Sequence, residues 1–151
     1  MKIFTSLFLA AVFCVGCAHQ HFTRGSGDAG QFILRQAIAH GGRPVSTNSL
    51  PLVSDDWRYV EDQYGVVMHL PLDRFAVVES FLHQSFGEPS MPVAETTDGG
   101  KLGVYGVKAI GASIQFGYDK DATFVNILRP ISVEEMAEHL PKALKEMEKS
   151  K

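Results

Sequence analysis

The sequence predicts an α+β fold in which helices pack on one face of an antiparallel sheet of about five strands. Apolar and polar residues alternate across residues 112–118, as in a strand with one face in the core and one in water. Apolar residues recur at every third or fourth position across residues 74–86, which is typical of a helix with one buried face. The polar turn Asp119-Lys120-Asp121 lies between two apolar runs and predicts a hairpin.

The remaining elements follow from the same patterns, and their predicted order is αββαβββα. Residues 31–40 have apolar side chains at helical spacing, and the predicted helix ends at Gly41 and Gly42. Asp73 can cap the central helix, and Gly87 can end it as a left-handed C-cap. The predicted elements before the last helix are a helix at 31–40, strands at 57–60 and 65–70, a helix at 74–86, and strands at 102–107, 112–118 and 122–129.

A terminal helix is predicted from Ser132 toward Lys149. Ser132 and Glu135 have the spacing of a capping box, in which each side chain accepts a hydrogen bond from the backbone N–H of the other residue. Pro141 interrupts this helix, and a kink is expected there because the apolar stripe keeps its phase across the proline. The stripe consists of Val133, Met136, Ala137, Leu140, Leu144 and Met147.

The composition indicates one globular domain without the charge pattern of a nucleic-acid-binding protein. The chain has 151 residues, of which 45% are hydrophobic and 21% are charged, and its net charge is −3. No block of lysines and arginines occurs before the last helix, and binding to phosphates needs clustered positive charge. Nucleic acid is therefore disfavoured as a partner. Cys14 and Cys17 are the only cysteines, so no disulfide can cross-link the rest of the chain.

The amino terminus has the pattern of a secretory signal. Lys2 supplies a positive charge, and residues 3–16 are mostly apolar and uncharged. This run is too short to cross a bilayer about 30 Å thick as a helix, which needs roughly 20 residues. The residues at its end, Val15-Gly16-Cys17, resemble the lipobox of bacterial lipoproteins, with Cys14 in the place where that family usually has leucine.

The resemblance to bacterial lipoproteins implies how the chain is processed and where it resides. Residues 1–16 would be removed as a signal peptide. Cys17 would carry diacylglycerol on its sulfur and an acyl chain such as palmitate on its amine, which anchors the protein to a membrane. Ala18, in place of aspartate, implies export to the periplasmic face of the outer membrane in a Gram-negative cell. Residues 17–30 would then be the lipidated cysteine and a flexible tether, and residues 31–151 a single α+β domain.

The same segment has other interpretations. Cys14 and Cys17 have the spacing of a redox pair, and with His19 and His21 they could bind zinc. No folded unit is predicted before the pair of cysteines. The sequence also has no second half of a zinc-binding unit that could wrap around a metal. The run Gly25-Ser26-Gly27-Asp28-Ala29-Gly30 matches the dinucleotide-binding letters G-x-G-x-x-G. No strand is predicted before it, so a flexible connection with a helix cap at its aspartate is favoured.

Few side chains form a pattern that indicates chemistry, and no catalytic residue or cofactor is predicted. Glu79 and His83 lie four positions apart on the central helix and could bind a metal or shuttle a proton, and a metal or a small ligand could also bind at His69. Asp55 and Asp56 could act as paired carboxylates in a hydrolase, although adjacent side chains usually point apart. A solvated helix face and surface hydrogen bonds are the structural explanation of the same residues.

Two further pairs are candidates for a site. His69 lies near the end of the predicted strand at 65–70, and Asp73 follows that strand. The two side chains could form an acid/base pair or a surface hydrogen bond. Trp57 and Tyr59 would share one face of the first predicted strand and could present a surface to a partner protein. Packing in the core is the alternative for these two aromatic side chains.

Residues 74–129 resemble a pattern of small periplasmic domains. The helix ends in Phe-Gly-Glu-Pro and is followed by strands with an aspartate-containing hairpin. This pattern is similar to that of the β-lactamase-inhibitor-like modules and of the small lipoprotein of the outer-membrane barrel-assembly machinery. The expected function is a non-enzymatic, lipid-anchored module that binds another envelope protein or supports the envelope. A small-ligand or metal-binding sensor is the alternative, and a small hydrolase is the third hypothesis.

Overall fold

The structure is a computed structural model of the chain, and it describes residues 21–52, 56–106, 112–130, 132, 134, 135, 137 and 138. The chain divides into two units. Phe22–Pro130 form the larger unit, which contains every strand among the described residues. The smaller unit combines Met1–His21 with Ile131–Lys151, and few of its residues belong to the described part of the chain.

The larger unit contains seven strands and two α-helices among the described residues. A 3₁₀ turn at Leu72–Arg74 leads into the second helix. In chain order the elements are β1 (Thr23–Arg24), α1 (Ala29–Ala39), β2 (Arg58–Glu61), β3 (Gly65–Leu70), α2 (Phe75–Phe86), β4 (Met91–Glu95), β5 (Lys101–Tyr105), β6 (Ser113–Tyr118) and β7 (Thr123–Leu128).

All seven strands form one antiparallel sheet in the order β1-β2-β3-β7-β6-β5-β4. Two aspartates build the tight turns between neighbouring strands. Asp62 accepts hydrogen bonds from the backbone N–H groups of Tyr64 and Gly65 between β2 and β3. Asp119 accepts from Asp121 and Ala122 between β6 and β7, which is the hairpin predicted from the sequence. Short aspartate side chains favour such turns because they can replace a backbone acceptor.

The fold class is α+β, but the predicted strand count of about five and the order αββαβββα are wrong. The two additional strands, β1 and β4, lie at the two edges of the sheet. β1 has only two residues, which is too short for a periodic pattern, and it lies in the segment predicted as a tether. β4 contains Pro92, and proline is tolerated in an edge strand because one side of that strand needs no hydrogen-bond donor.

One face of the sheet forms the core with both helices. Met68 pairs in register with Val125, and Val125 with Phe116, so these three side chains lie on one face, here named the first face. Burial of such apolar surface is the main stabilising contribution to a fold of this size. The cluster includes Ile33, Leu34 and Ala37 of α1, Val78, Phe81, Leu82 and Phe86 of α2, and Val66, Met68, Ile114, Phe116, Val125 and Ile127 of the sheet.

The opposite, second face of the sheet is defined by the registered neighbours Val67, Asn126 and Gln115. The alternation in β6 predicts that this face is wet, yet Gln115 is only 2% exposed and Asn126 only 6%. That prediction is wrong because alternation records the polarity of a side chain and not its burial. A neutral amide can occupy a buried position, whereas a lysine or glutamate could not without a partner.

The capping box at the start of the terminal helix is present. The backbone N–H of Ser132 donates to Oε2 of Glu135 at 3.0 Å, and the backbone N–H of Glu135 donates to Oγ of Ser132 at 3.1 Å. Residues 134, 135, 137 and 138 are helical. The rest of the predicted helix, including Pro141 and most of the apolar stripe, lies outside the described residues. No helix among the residues that the structure describes is long and apolar enough to cross a membrane.

Candidate functional site

His69 lies on β3, on the second face of the sheet. In the neighbouring strands it is in register with Arg58 of β2 and with Phe124 of β7. The ring of Phe22 stacks on the imidazole with 4.5 Å between the ring centroids and 28° between the planes. The imidazole is therefore covered by an aromatic ring on one side and lies between a cationic and an aromatic neighbour.

The surroundings of His69 favour its neutral form. Burial lowers its pKa below the usual 6.5, the negative charge of Asp119 partly opposes this shift, and the positive charge of Arg58 adds to it. The aspartate that acts on this histidine is thus Asp119 and not Asp73, which was the predicted partner. Asp73 lies in the 3₁₀ turn, is 78% exposed and is 4.0 Å from Nε of Arg74. The N-cap residue of α2 is Arg74 and not Asp73, so the predicted cap is wrong.

The lowered pKa of His69 predicts a pH-dependent stability. Between the folded-state pKa and 6.5 the unfolded chain binds more protons than the folded one, so the free energy of unfolding should fall as the pH drops below about 6.5. The measurement is urea unfolding from about pH 7.5 to about pH 5. His69→Gln should reduce the slope against pH, and His83→Gln, at an exposed histidine, is the matched control. An equal slope for wild type and His69→Gln would contradict this assignment.

The structure places the candidate metal or ligand residues on two different faces of the sheet. Glu79 and His83 lie on α2, which packs on the first face, whereas His69 lies on the second face. Nε2 of His83 is 3.7 Å from Oε1 of Glu88, and both side chains are more than half exposed. Among the described residues no group of three histidine, cysteine, aspartate or glutamate side chains could hold a metal ion.

The structure describes three of the four candidate residues of a hydrolase. Asp56 is exposed just before β2, and Asp55 lies outside the described residues. His69 and His83 are on opposite faces of the sheet, as described above. Cys14, Cys17 and His19 lie outside the described residues too, so the structure does not bear on the thiol and zinc interpretations.

Trp57 and Tyr59 belong to an aromatic cluster with Phe32 of α1. The ring centroid of Phe32 is 4.9 Å from that of Trp57 and 4.8 Å from that of Tyr59. Trp57 is 2% exposed, and its Nε1–H donates to the carbonyl oxygen of Gly27 at 3.2 Å. A buried indole with a satisfied donor stabilises the core. Of the predicted partner surface, only the half-buried Tyr59 remains accessible.

The letters G-x-G-x-x-G have a structural role in this cluster. Contrary to the prediction, a strand does precede them, since β1 ends at Arg24, but this strand has two residues at the edge of an antiparallel sheet. The helix N-terminus is occupied by Asp28, whose Oδ1 accepts from the N–H of Gly30 at 2.8 Å and of Leu52 at 3.1 Å. Because this carboxylate takes the position that a phosphate would need, the loop connects β1 to α1 and caps it.

Tyr105 has an unusual environment that sequence patterns did not indicate. Its hydroxyl donates to the carbonyl oxygen of Gly87 at 3.2 Å, and its side chain is 2% exposed. Burial, with smaller effects from the carboxylates of Glu88 and Glu79, raises the pKa of Tyr105 to about 12. The phenol therefore stays protonated at neutral pH and ties the end of α2 to β5.

A shallow groove lies between α2 and the loop that follows α1. Its volume is about 270 Å³, and it is lined mainly by Leu50, Pro51, Ala76, Val77 and Ser80, without a charged side chain. Leu50 is 73% exposed and Val77 is 45% exposed. Sequence patterns missed this surface because Leu50 lies in a loop and Val77 interrupts the polar side of the helix.

Two buried amides lie next to each other in the middle of the second face. Gln115 and Asn126 are registered partners on β6 and β7. Within the described part of the chain, Oε1 of Gln115 and Oδ1 of Asn126 are buried without a hydrogen-bond partner. Such acceptors destabilise a fold unless a water molecule or another donor reaches them.

Comparisons of this chain with protein-family models, with curated proteins and with solved structures yield no match.

Proposed function

We propose that this protein is a lipid-anchored module of the bacterial cell envelope that binds another envelope protein. Diacylglycerol on Cys17 would hold it at the membrane, on the periplasmic face of the outer membrane. The observation behind the proposal is the amino-terminal pattern, in which an uncharged apolar run at residues 3–16 ends in Val15-Gly16-Cys17. A free thiol pair or a metal site would need a folded framework around these cysteines, and the sequence supplies an export signal there.

Two surfaces of the larger unit support a role in protein binding. The groove beside α2 has exposed apolar side chains, Leu50 and Val77, and no charged lining residue, so it suits an apolar side chain of a partner. Tyr59, whose ring neighbours that of the buried Trp57, is half-buried and presents part of an aromatic side chain at the surface. Aromatic and aliphatic contacts of this kind are enriched at the centres of protein interfaces.

The experiment that tests the partner is cross-linking in living cells. A photo-activatable amino acid is placed at Val77 or Tyr59 and, as the matched control, at Lys120 in the exposed β6–β7 hairpin. The proposal predicts that one discrete envelope protein is cross-linked from Val77 or Tyr59 and not from Lys120. If neither position captures an envelope protein more strongly than Lys120 does, the proposed binding role is wrong.

A further inference from the structure

The chain becomes part of the sheet only a few residues after Cys17. β1 begins at Thr23, which is in register with Tyr59 of β2. The backbone N–H of Gly25 donates to the carbonyl oxygen of Trp57 at 2.8 Å, and a Cβ at position 25 would overlap the indole ring. Backbone pairing and close packing therefore fix the chain from the start of β1, well before the first helix.

This early attachment leaves a short connection, residues 18–22, between the lipid and the sheet. Six residue steps separate Cys17 from Thr23, and an extended chain spans at most about 3.6 Å per residue. Thr23 is therefore within about 22 Å of Cys17, whatever the path of the chain. If the chain were first fixed at Asp28, the N-cap of α1, the limit would be about 40 Å. Pairing of β1 thus reduces the reach of the domain by about half.

Tyr59 is an accessible aromatic residue close to this attachment. Paired Cα atoms in an antiparallel sheet are about 5 Å apart, so Tyr59 is within about 27 Å of Cys17. Its ring packs on that of Phe32 with 4.8 Å between the centroids, which orients the half-buried side chain. β4, at the other edge of the sheet, is six strand spacings of about 4.8 Å from β1. The lipid anchor would therefore hold the surface at Tyr59, but not β4, in a thin layer next to the membrane.

A short connection favours partners that are confined to the same layer. Two surfaces held in one thin layer meet at a raised effective concentration, and this gain falls as the connection lengthens. A protein that diffuses freely gains nothing from the anchor, because its concentration near Tyr59 does not depend on the length of the connection. The length of residues 18–22 thus bears on the kind of partner that the domain can use.

We propose that the surface at Tyr59 contacts a protein that is itself held in the membrane that carries the anchor. The inference rests on the proposed function, the lipidation of Cys17 and the binding of an envelope protein, and deepens it by naming the surface and the class of partner. A half-buried phenol suits such a contact, because its ring can enter an apolar pocket while its hydroxyl meets a polar group.

The test lengthens the connection and leaves the domain unchanged. About twenty glycine and serine residues are inserted after Ala18 of the full-length lipoprotein, and photo-cross-linking from position 59 is measured in living cells. The matched control has the same insert between Asp98 and Gly99 in the β4–β5 turn, where a Cβ on Gly99 would meet no atom within 4 Å. The yield of the partner adduct should fall at least about threefold with the insert after Ala18 and stay the same with the control insert.

A second measurement establishes where the captured partner resides. Mass spectrometry identifies the adduct, and membranes from cells without the lipoprotein are washed with alkaline carbonate, which releases proteins that are neither embedded nor lipid-anchored. The partner should remain with the washed membranes. Tyr59→Ala should lower the amount of partner that co-purifies severalfold, whereas Lys120→Ala, at an exposed residue of the β6–β7 hairpin, should not. Circular dichroism checks that each variant is folded.

The outcomes separate this inference from the proposed function. An adduct yield that is unchanged or higher with the insert after Ala18 would overturn the inference, and so would a partner that the carbonate wash releases. Capture from Val77 and not from Tyr59 would overturn it too, and in all three cases the proposed binding role stands. If neither position captures an envelope protein more strongly than Lys120 does, the proposed function fails and the inference fails with it.

Discussion

Replacing Trp57 by alanine should lower the free energy of unfolding by about 3–5 kcal/mol, the usual cost of removing a large buried aromatic side chain. The indole is 2% exposed, contacts the rings of Phe32 and Tyr59, and donates its N–H to Gly27. A single domain commonly has only about 5–15 kcal/mol of stability in total, so the loss is large. Urea denaturation followed by circular dichroism measures it, since the variant lacks the only tryptophan.

Leu50→Ala is the matched control for Trp57→Ala. Leu50 is a large apolar residue that is 73% exposed, so its truncation should change the free energy of unfolding by no more than about 0.5 kcal/mol. The loss in free energy of unfolding for Trp57→Phe should lie between the losses for Trp57→Ala and Leu50→Ala. Phenylalanine fills part of the space of the indole but cannot donate a hydrogen bond to Gly27. If Trp57→Ala were as stable as wild type, Trp57 would belong to a surface and not to the core.

Gly65→Ala should destabilise the protein by about 3 kcal/mol or more, although it adds only one methyl group. Gly65 begins β3 with φ at +154°, a conformation that residues with a side chain rarely adopt. A Cβ at this position would also overlap the backbone carbonyl oxygen of Ile127 on the neighbouring strand. Backbone atoms of a central strand cannot move aside as the end of a flexible side chain can. The midpoint of thermal unfolding measures the effect.

Gly99→Ala separates the two causes of the Gly65 effect. Gly99 also has a positive φ, +86°, but a Cβ there would meet no atom within 4 Å. Its replacement should therefore cost only the backbone strain, about 1 kcal/mol. Equal losses for the two variants would contradict the clash with Ile127 as the main reason for glycine at position 65.

Periodic patterns predicted the middle of this fold because they depend on many residues at once. The alternation in β6 and the helical stripe in α2 each extend over more than one turn or pleat, so a single exception does not hide them. The aspartate turns at Asp62 and Asp119 have a local mechanism that the sequence contains. These signals predicted the α+β class, both helices and five of the strands.

The sheet edges could not be predicted from such patterns. β1 has two residues, and it exists because Thr23 and Arg24 pair with Tyr59 and Arg58, which are far away in the sequence. β4 contains a proline and a register irregularity, both of which argue against a strand when only the sequence is known. Strand order likewise depends on the connection through α2, which places β4 at the far edge and lets β7 pair with β3.

The placement of the candidate site residues could not be predicted for a related reason. His69 was grouped with Glu79 and His83 by residue type, but the register of β3 places its imidazole on the second face while α2 packs on the first. A shift of one residue in a strand would reverse this, so sequence spacing alone cannot decide it. The environment that does form, with Phe22, Arg58 and Asp119, draws on three separated segments. These residues do not belong to one sequence motif.

The central claim of the account is that Cys17 anchors the protein to a membrane. Mass spectrometry of the mature protein purified from the envelope fraction tests it most directly, with Cys17→Ala as the control. The account predicts that the first residue is Cys17, that its mass includes diacylglycerol and an amine-linked acyl chain, and that Cys17→Ala abolishes both processing and membrane attachment. A mature chain that begins beyond residue 17 with a free amine, or an intact chain from Met1 without lipid, would contradict it.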